Sequence, residues 1–82
     1  MAHEVTIYGR EQCHLCDEAL DTVERVAATV EASVEITEVD VDDDPELAAE
    51  YGERVPYVFV DGRPKFKYRV SESELRSLLT EP

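Results

Sequence analysis

The sequence predicts an α/β domain of order βαβαββα, with a four-stranded mixed sheet and helices on both of its faces. Short runs of β-branched and aromatic residues alternate with stretches whose apolar residues recur every three or four positions. The first strand–helix–strand unit requires a right-handed crossover between parallel strands. Asp61-Gly62, set between two apolar-rich runs, marks a hairpin and makes the last two strands antiparallel. These elements fill the 82 residues as one domain, residues 1–82, with no repeat, linker or low-complexity tract. A domain of this size buries only ~60% of its unfolded surface, so function is expected at an edge or in a shallow groove.

Val5 to Tyr8 reads as the first strand, closed by Gly9. From Leu15, apolar residues at Ala19, Leu20, Val23, Val26, Ala27 and Val30 mark one face of a helix, with Asp17 and Glu18 near its positive end. Val34 to Val41 reads as the second strand. Asp44 is a good N-cap and Pro45 a good first helical residue for a short helix ending at Gly52. Tyr57 to Val60 is the third strand, and Lys65 to Val70 alternates as the fourth. Ser71 and Glu74 form a capping box for the last helix, with Val70 able to staple onto Leu75.

Twenty acidic residues against eight basic ones give a net charge of -12. Phosphates are repelled by such a chain, which argues against nucleic-acid binding. Two readings fit the acidity, a solvated surface that maintains solubility and adaptation to a salt-rich cytoplasm where screening quenches self-repulsion. The first residues lack a basic start and a long apolar run, and no stretch reaches membrane-spanning length. The expectation is a cytoplasmic monomer that binds neither nucleic acid nor membrane.

In that compartment two cysteines are not expected to staple structure. Cys13-His14-Leu15-Cys16 places one sulfur just ahead of a helix and the other one turn inside. Backbone N–H groups and the helix dipole favour a thiolate on Cys13, and Cys16 is close enough to attack a mixed disulfide formed there. His14, if charged, stabilises the thiolate, Asp17 and Glu18 oppose it, and Arg10 offsets them. Two other readings stand beside redox chemistry. The cysteines are buried small hydrophobes, or they supply half of a zinc site or iron–sulfur cluster shared between two chains. Within one chain no metal site is expected.

Pro56 opens the third strand. In a redox domain built this way it is expected to be cis and to lie against the cysteines, with the Val55 backbone offered to an extended substrate. The alternative is an ordinary trans proline at a strand start. Five of the eight basic residues fall between Arg54 and Arg69, with Asp61 the one acid there. Lys65, Lys67 and Arg69 are expected on one face of the last strand, where charge discourages edge pairing or docks an acidic partner. Arg54 adjoins the proline loop. Asp40-x-Asp42-x-Asp44 opens like a calcium loop, but Pro45 stands where such a loop needs glycine and Tyr51 where it needs its final glutamate.

Thr6-Ile7-Tyr8, Arg10, Cys13-x-x-Cys16, Val55-Pro56 and Tyr57-Val58-Phe59-Val60-Asp61-Gly62 together resemble a glutaredoxin-like protein over nearly the whole chain. The resemblance implies a thioredoxin-like fold, strand order 2-1-3-4 and a dithiol role for Cys13 and Cys16. It also implies that Arg10 contacts a substrate carboxylate. His14-Leu15 replaces the usual Pro-Tyr of glutaredoxins, Gln12 stands where thioredoxins have tryptophan, and Lys67-Tyr68-Arg69-Val70-Ser71 replaces the usual Gly-Gly and Asp.

The expected function is thiol–disulfide exchange, with Cys13 and Cys16 catalytic and Arg10, His14, Arg54, Val55 and Pro56 contacting substrate. The expected partner is a disulfide-containing protein or a small thiol. No tightly bound cofactor is expected, and glutathione or another low-molecular-weight thiol is the candidate co-substrate.

Overall fold

The computed structural model describes residues 2–80. Its elements are β1 (Ala2–Gly9), α1 (His14–Thr29), β2 (Ser33–Asp40), a single 3-10 turn (Val41–Asp43), α2 (Pro45–Tyr51), β3 (Tyr57–Val60), β4 (Arg63–Lys67) and α3 (Glu72–Thr80). The strands lie in the order β2-β1-β3-β4. β1 and β2 run parallel, while β1–β3 and β3–β4 are antiparallel. The mixed sheet and its strand order are those expected.

The pleat sorts the strand residues between two faces. Val5 and Ile7 of β1, Val58 and Val60 of β3 and Phe66 of β4 point to one side. There they meet Val23 and Val26 of α1 and Leu75 and Leu79 of α3, and together form the core. Tyr8 of β1 and Tyr57 and Phe59 of β3 point to the other side, where Tyr51 of α2 stacks on Tyr8 with ring centroids 4.8 Å apart. Helices therefore cover both faces, but unequally, since α2 buries none of its residues. No helix among the described residues is long and apolar enough to cross a membrane.

Local chemistry accounts for the element boundaries. The Asp44 carboxylate accepts the Glu46 N–H at 2.9 Å, and Pro45 occupies the first turn of α2. Asp61 and Gly62 take φ of 52° and 82°, the pair of positive values that a two-residue hairpin turn requires. Ser71 Oγ accepts the Glu74 N–H at the start of α3, and Val70 packs beside the core.

The expected fourth strand needs correction. β4 does not run from Lys65 to Val70. It starts at Arg63, directly after the turn, and stops at Lys67, because Tyr68 adopts a left-handed φ of 70° that no strand can continue through. Arg69 is thereby removed from the strand, so it does not share a face of it with Lys65 and Lys67. Gly52 ends α2, as expected, with a right-handed φ of -54°. Glycine is required there by space, since a Cβ would meet the Ala48 carbonyl and come within 3.2 Å of the Arg10 guanidinium.

Candidate active site

Cys13 is the N-cap of α1, with extended backbone dihedrals of -116° and 106°. Its sulfur accepts the Cys16 N–H at 3.1 Å, and its carbonyl accepts the Asp17 N–H at 3.1 Å. The sulfur therefore sits where the orphan N–H groups and the dipole of a 16-residue helix converge. Cys13 is half-buried, whereas Cys16, one turn inside, is only 8% exposed. The two are joined as a disulfide. The pair is thus asymmetric, with Cys13 the more exposed residue and Cys16 the more buried.

β1 supplies the floor. A Cβ built on Gly9 would lie 3.1 Å from the Cys16 Sγ and 3.3 Å from the Cys16 Cβ. A pocket of about 190 Å³ opens beside Cys16, lined by Ile7, Gly9 and Arg10 on one side and Glu38 and Asp40 of β2 on the other.

β3 brings the proline loop to the same end of the sheet. Tyr57 pairs with Tyr8, near the end of β1 from which the chain runs through Gly9 into Cys13. The Val55–Pro56 peptide bond is cis, as expected, and Pro56 is buried. Among the described residues neither the N–H nor the C=O of Val55 has a partner. Arg54 and His14 are exposed, His14 as the first residue of α1 and Arg54 on the loop beside Tyr51.

Arg10 is engaged inside the chain. Its Nε and Nη2 donate to the two carboxylate oxygens of Asp42 at 3.2 and 2.7 Å, and its Nη1 donates to the Gly52 carbonyl at 3.0 Å. The hydrogen bond to Asp42 and its charge hold the guanidinium pKa above its ordinary value. Arg10 thus straps the loop ahead of Cys13 to the 3-10 turn and to the end of α2.

Three features of the site region are not legible in the sequence. Tyr68 clasps the proline loop, its N–H donating to the Pro56 carbonyl at 2.8 Å and its hydroxyl to the Glu53 carbonyl at 3.3 Å. Its place in a strongly alternating run is the available signal, but alternation points to a continuing strand. Asp42 reads from the sequence only as a loop residue. The rings of Tyr8, Tyr51, Tyr57 and Phe59 cluster beneath α2, and burial raises the Tyr51 phenol pKa, with Glu50 adding to it.

The model of the glutaredoxin-like domain (DUF836) matches residues 4–80. The chain belongs to this glutaredoxin-like family. Among solved structures, the X-ray structure of target protein XcR50 from X. campestris is 31% identical to it, with a TM-score of 0.72, and the match covers 92% of this chain and 93% of that one. A point-mutant thioredoxin from Halobacterium salinarum NRC-1 is 26% identical with a TM-score of 0.63, covering 98% of this chain and 76% of that one. Protein Ne2328 from Nitrosomonas europaea shares the fold at 24% identity, with a TM-score of 0.74 and coverage of 94% and 91%. No curated protein matches. The fold of this glutaredoxin-like chain is thioredoxin-like, and its CxxC pair at a helix start supports a redox role.

Proposed function

We propose that this glutaredoxin-like chain is a thiol–disulfide oxidoreductase. The observation that supports it is the asymmetry of the pair: Cys13 the more exposed at the head of α1, Cys16 joined to it and only 8% exposed. In the reduced protein the Cys13 thiolate attacks a substrate disulfide. A Cys13–substrate disulfide forms and one substrate sulfur leaves as a thiolate, taking up a proton. Cys16 loses its proton and attacks the Cys13 sulfur, which releases the second substrate sulfur as a thiol. Two electrons have then passed from the dithiol to the substrate, and the Cys13–Cys16 disulfide remains. Two equivalents of an external thiol, glutathione or another low-molecular-weight thiol, reduce it again and leave as their own disulfide.

The Cys16 N–H that points at the Cys13 sulfur at 3.1 Å stabilises negative charge there in the reduced state. The open N–H and C=O of Val55 suit an extended substrate segment laid beside the disulfide. Arg10 commits three of its five N–H donors to Asp42 and Gly52 but stays exposed beside Cys16, so it joins Val55, Pro56, His14 and Arg54 as a substrate contact through its remaining donors.

Single-cysteine variants test the scheme. Cys13→Ser is expected to abolish reduction of bis(2-hydroxyethyl) disulfide, and Cys16→Ser to trap a mixed disulfide visible by mass spectrometry. Wild-type turnover in Cys13→Ser would sink the proposal.

A further inference from the structure

The cations of this chain are not spread over its surface. Residues 54–69 hold five basic side chains and one acid, a local charge of +4 in a chain of -12, so the remainder carries -16. Asp61, the one acid of that segment, is itself bound to His3 at 2.7 Å. The ion pairs among the described residues engage Arg10, Arg25 and His3, and leave Arg54, Arg63, Lys65, Lys67 and Arg69 without a carboxylate. All five are exposed.

Three of these cations surround the proline loop. Lys67 pairs with Tyr57, the residue after Pro56, and its Nζ lies 5.6 Å from the centre of the Tyr68 ring. Arg69 follows Tyr68, its N–H returning to the Lys67 carbonyl at 2.8 Å. Together with Leu15 from between the cysteines, Arg69 lines a groove of about 340 Å³ whose α1 wall carries Glu18 and the Asp21–Arg25 ion pair, so the positive side of the groove is the one that Tyr68 and Arg69 form. Arg54 precedes the proline loop, its N–H donating to the Tyr51 carbonyl of α2 at 2.8 Å. The Tyr68 clasp, through its bonds to Pro56 and Glu53, ties the Arg69 segment to the loop that carries Arg54.

Resting on the oxidoreductase reading, we propose that Arg54, Lys67 and Arg69, continued along the outer edge of β4 by Lys65 and by Arg63, which the bulge between Val58 and Phe59 turns to the other face from Lys67, form a docking rim for an acidic polypeptide whose disulfide is presented to Cys13. Charge complementarity selects that partner. An acidic chain is repelled by the -16 elsewhere and attracted most strongly by this +4 segment, so it approaches in the orientation that brings its disulfide toward Cys13. Length selects a polypeptide. The five residues of β4 span ~16 Å, beyond the ~10 Å of three extended residues. β4 is one of the two outer strands of the sheet, beside which an extended segment can lie. Protection of that edge accounts for Lys65 and Lys67. It does not account for Arg54 and Arg69, which lie outside the strand.

The test uses two synthetic peptides with the same disulfide ring, one flanked by glutamates and one by lysines, alongside bis(2-hydroxyethyl) disulfide and glutathione disulfide. The wild-type protein is expected to reduce the glutamate peptide with kcat/KM at least about tenfold above the lysine peptide, a preference that shrinks as salt is added. Replacing Lys67 and Arg69 by glutamine should bring the ratio near one. Lys67→Glu with Arg69→Glu should invert it, an outcome that a merely structural defect cannot produce. Equal kcat/KM for the two peptides would overturn the rim while leaving the oxidoreductase reading intact. Glutathione disulfide reduced as fast as the glutamate peptide, with the same loss in the variants, would replace the polypeptide with a small acidic thiol. Failure to reduce bis(2-hydroxyethyl) disulfide or any peptide would sink the reading itself, and the rim with it.

Discussion

Gly9 and Cys16 meet so closely that a single added carbon on Gly9 would lie 3.1 Å from the buried sulfur. Cys16 is held by the disulfide on one side and by α1 on the other, so it has little freedom to retreat. Gly9→Ala is therefore expected to destabilise the oxidised protein by about 1–3 kcal/mol. The reduced protein should lose less, because a free thiol side chain can rotate. Denaturant unfolding of both redox states reads the difference. An equal loss in the two states would mean that the crowding does not act through the sulfur.

Asp61 makes the acid limb of stability predictable. The Glu4 N–H, donating at 2.9 Å, and then the His3 ring at 2.7 Å lower its pKa below the ordinary carboxylate value. A group whose native pKa is depressed adds stability above its unfolded pKa, near ~3.9, and that stability is lost as pH falls through the native value. Asp61→Asn keeps a residue tolerant of the left-handed turn. Its deficit relative to wild type should be full near neutrality, shrink as pH drops through about 4 and vanish below. Urea unfolding between neutral pH and strong acid measures it, and a deficit that stays constant with pH would refute the role given to the carboxylate.

Much of the architecture is legible because its signals are local. A cap such as Asp44-Pro45, a turn such as Asp61-Gly62 and a sulfur one residue ahead of a helix are all written within a few residues. The bonds between distant side chains are not. Arg10–Asp42 and His3–Asp61 join residues separated by 32 and 58 positions, and nothing at either end of such a pair announces the other. The end of β4 escapes the sequence for a different reason. Alternation of polar and apolar residues persists through Val70, but the backbone at Tyr68 turns left-handed to reach the proline loop. A tertiary bond overrides a local pattern.

Arg10 and Asp42 should govern the mobility of α2. Arg10→Gln removes the paired bonds to Asp42 and the bond to the Gly52 carbonyl. Hydrogen exchange is expected to quicken several-fold at Ala48 and Gly52, whose amides close α2, while the amides of the middle of α1 keep their rates. Arg10→Lys should not restore protection, because a point charge cannot reproduce a planar fork. Unaltered exchange at Gly52 in Arg10→Gln would show that the strap does not hold the helix.

Tyr68 separates backbone cost from side-chain gain. Tyr68→Ala keeps a left-handed residue with a Cβ and discards the ring and hydroxyl, whereas Tyr68→Gly discards them and relieves the backbone as well. The glycine variant is expected to be the more stable of the two by about 1 kcal/mol. Thermal unfolding ranks them. The reverse order would indicate that the loop relaxes out of its left-handed turn once the phenol is gone.

The uneven covering of the sheet also decides what light can see. The chain has no tryptophan, and of its four tyrosines Tyr8, Tyr51 and Tyr57 share the aromatic cluster under α2. Intrinsic ultraviolet emission and near-ultraviolet dichroism are consequently reporters of that thin layer. An optical transition recorded during unfolding would mark the detachment of the short helix, and a probe of the apolar side, such as a methyl resonance of Val23 or Leu75, is needed to learn whether the rest of the molecule lets go at the same moment.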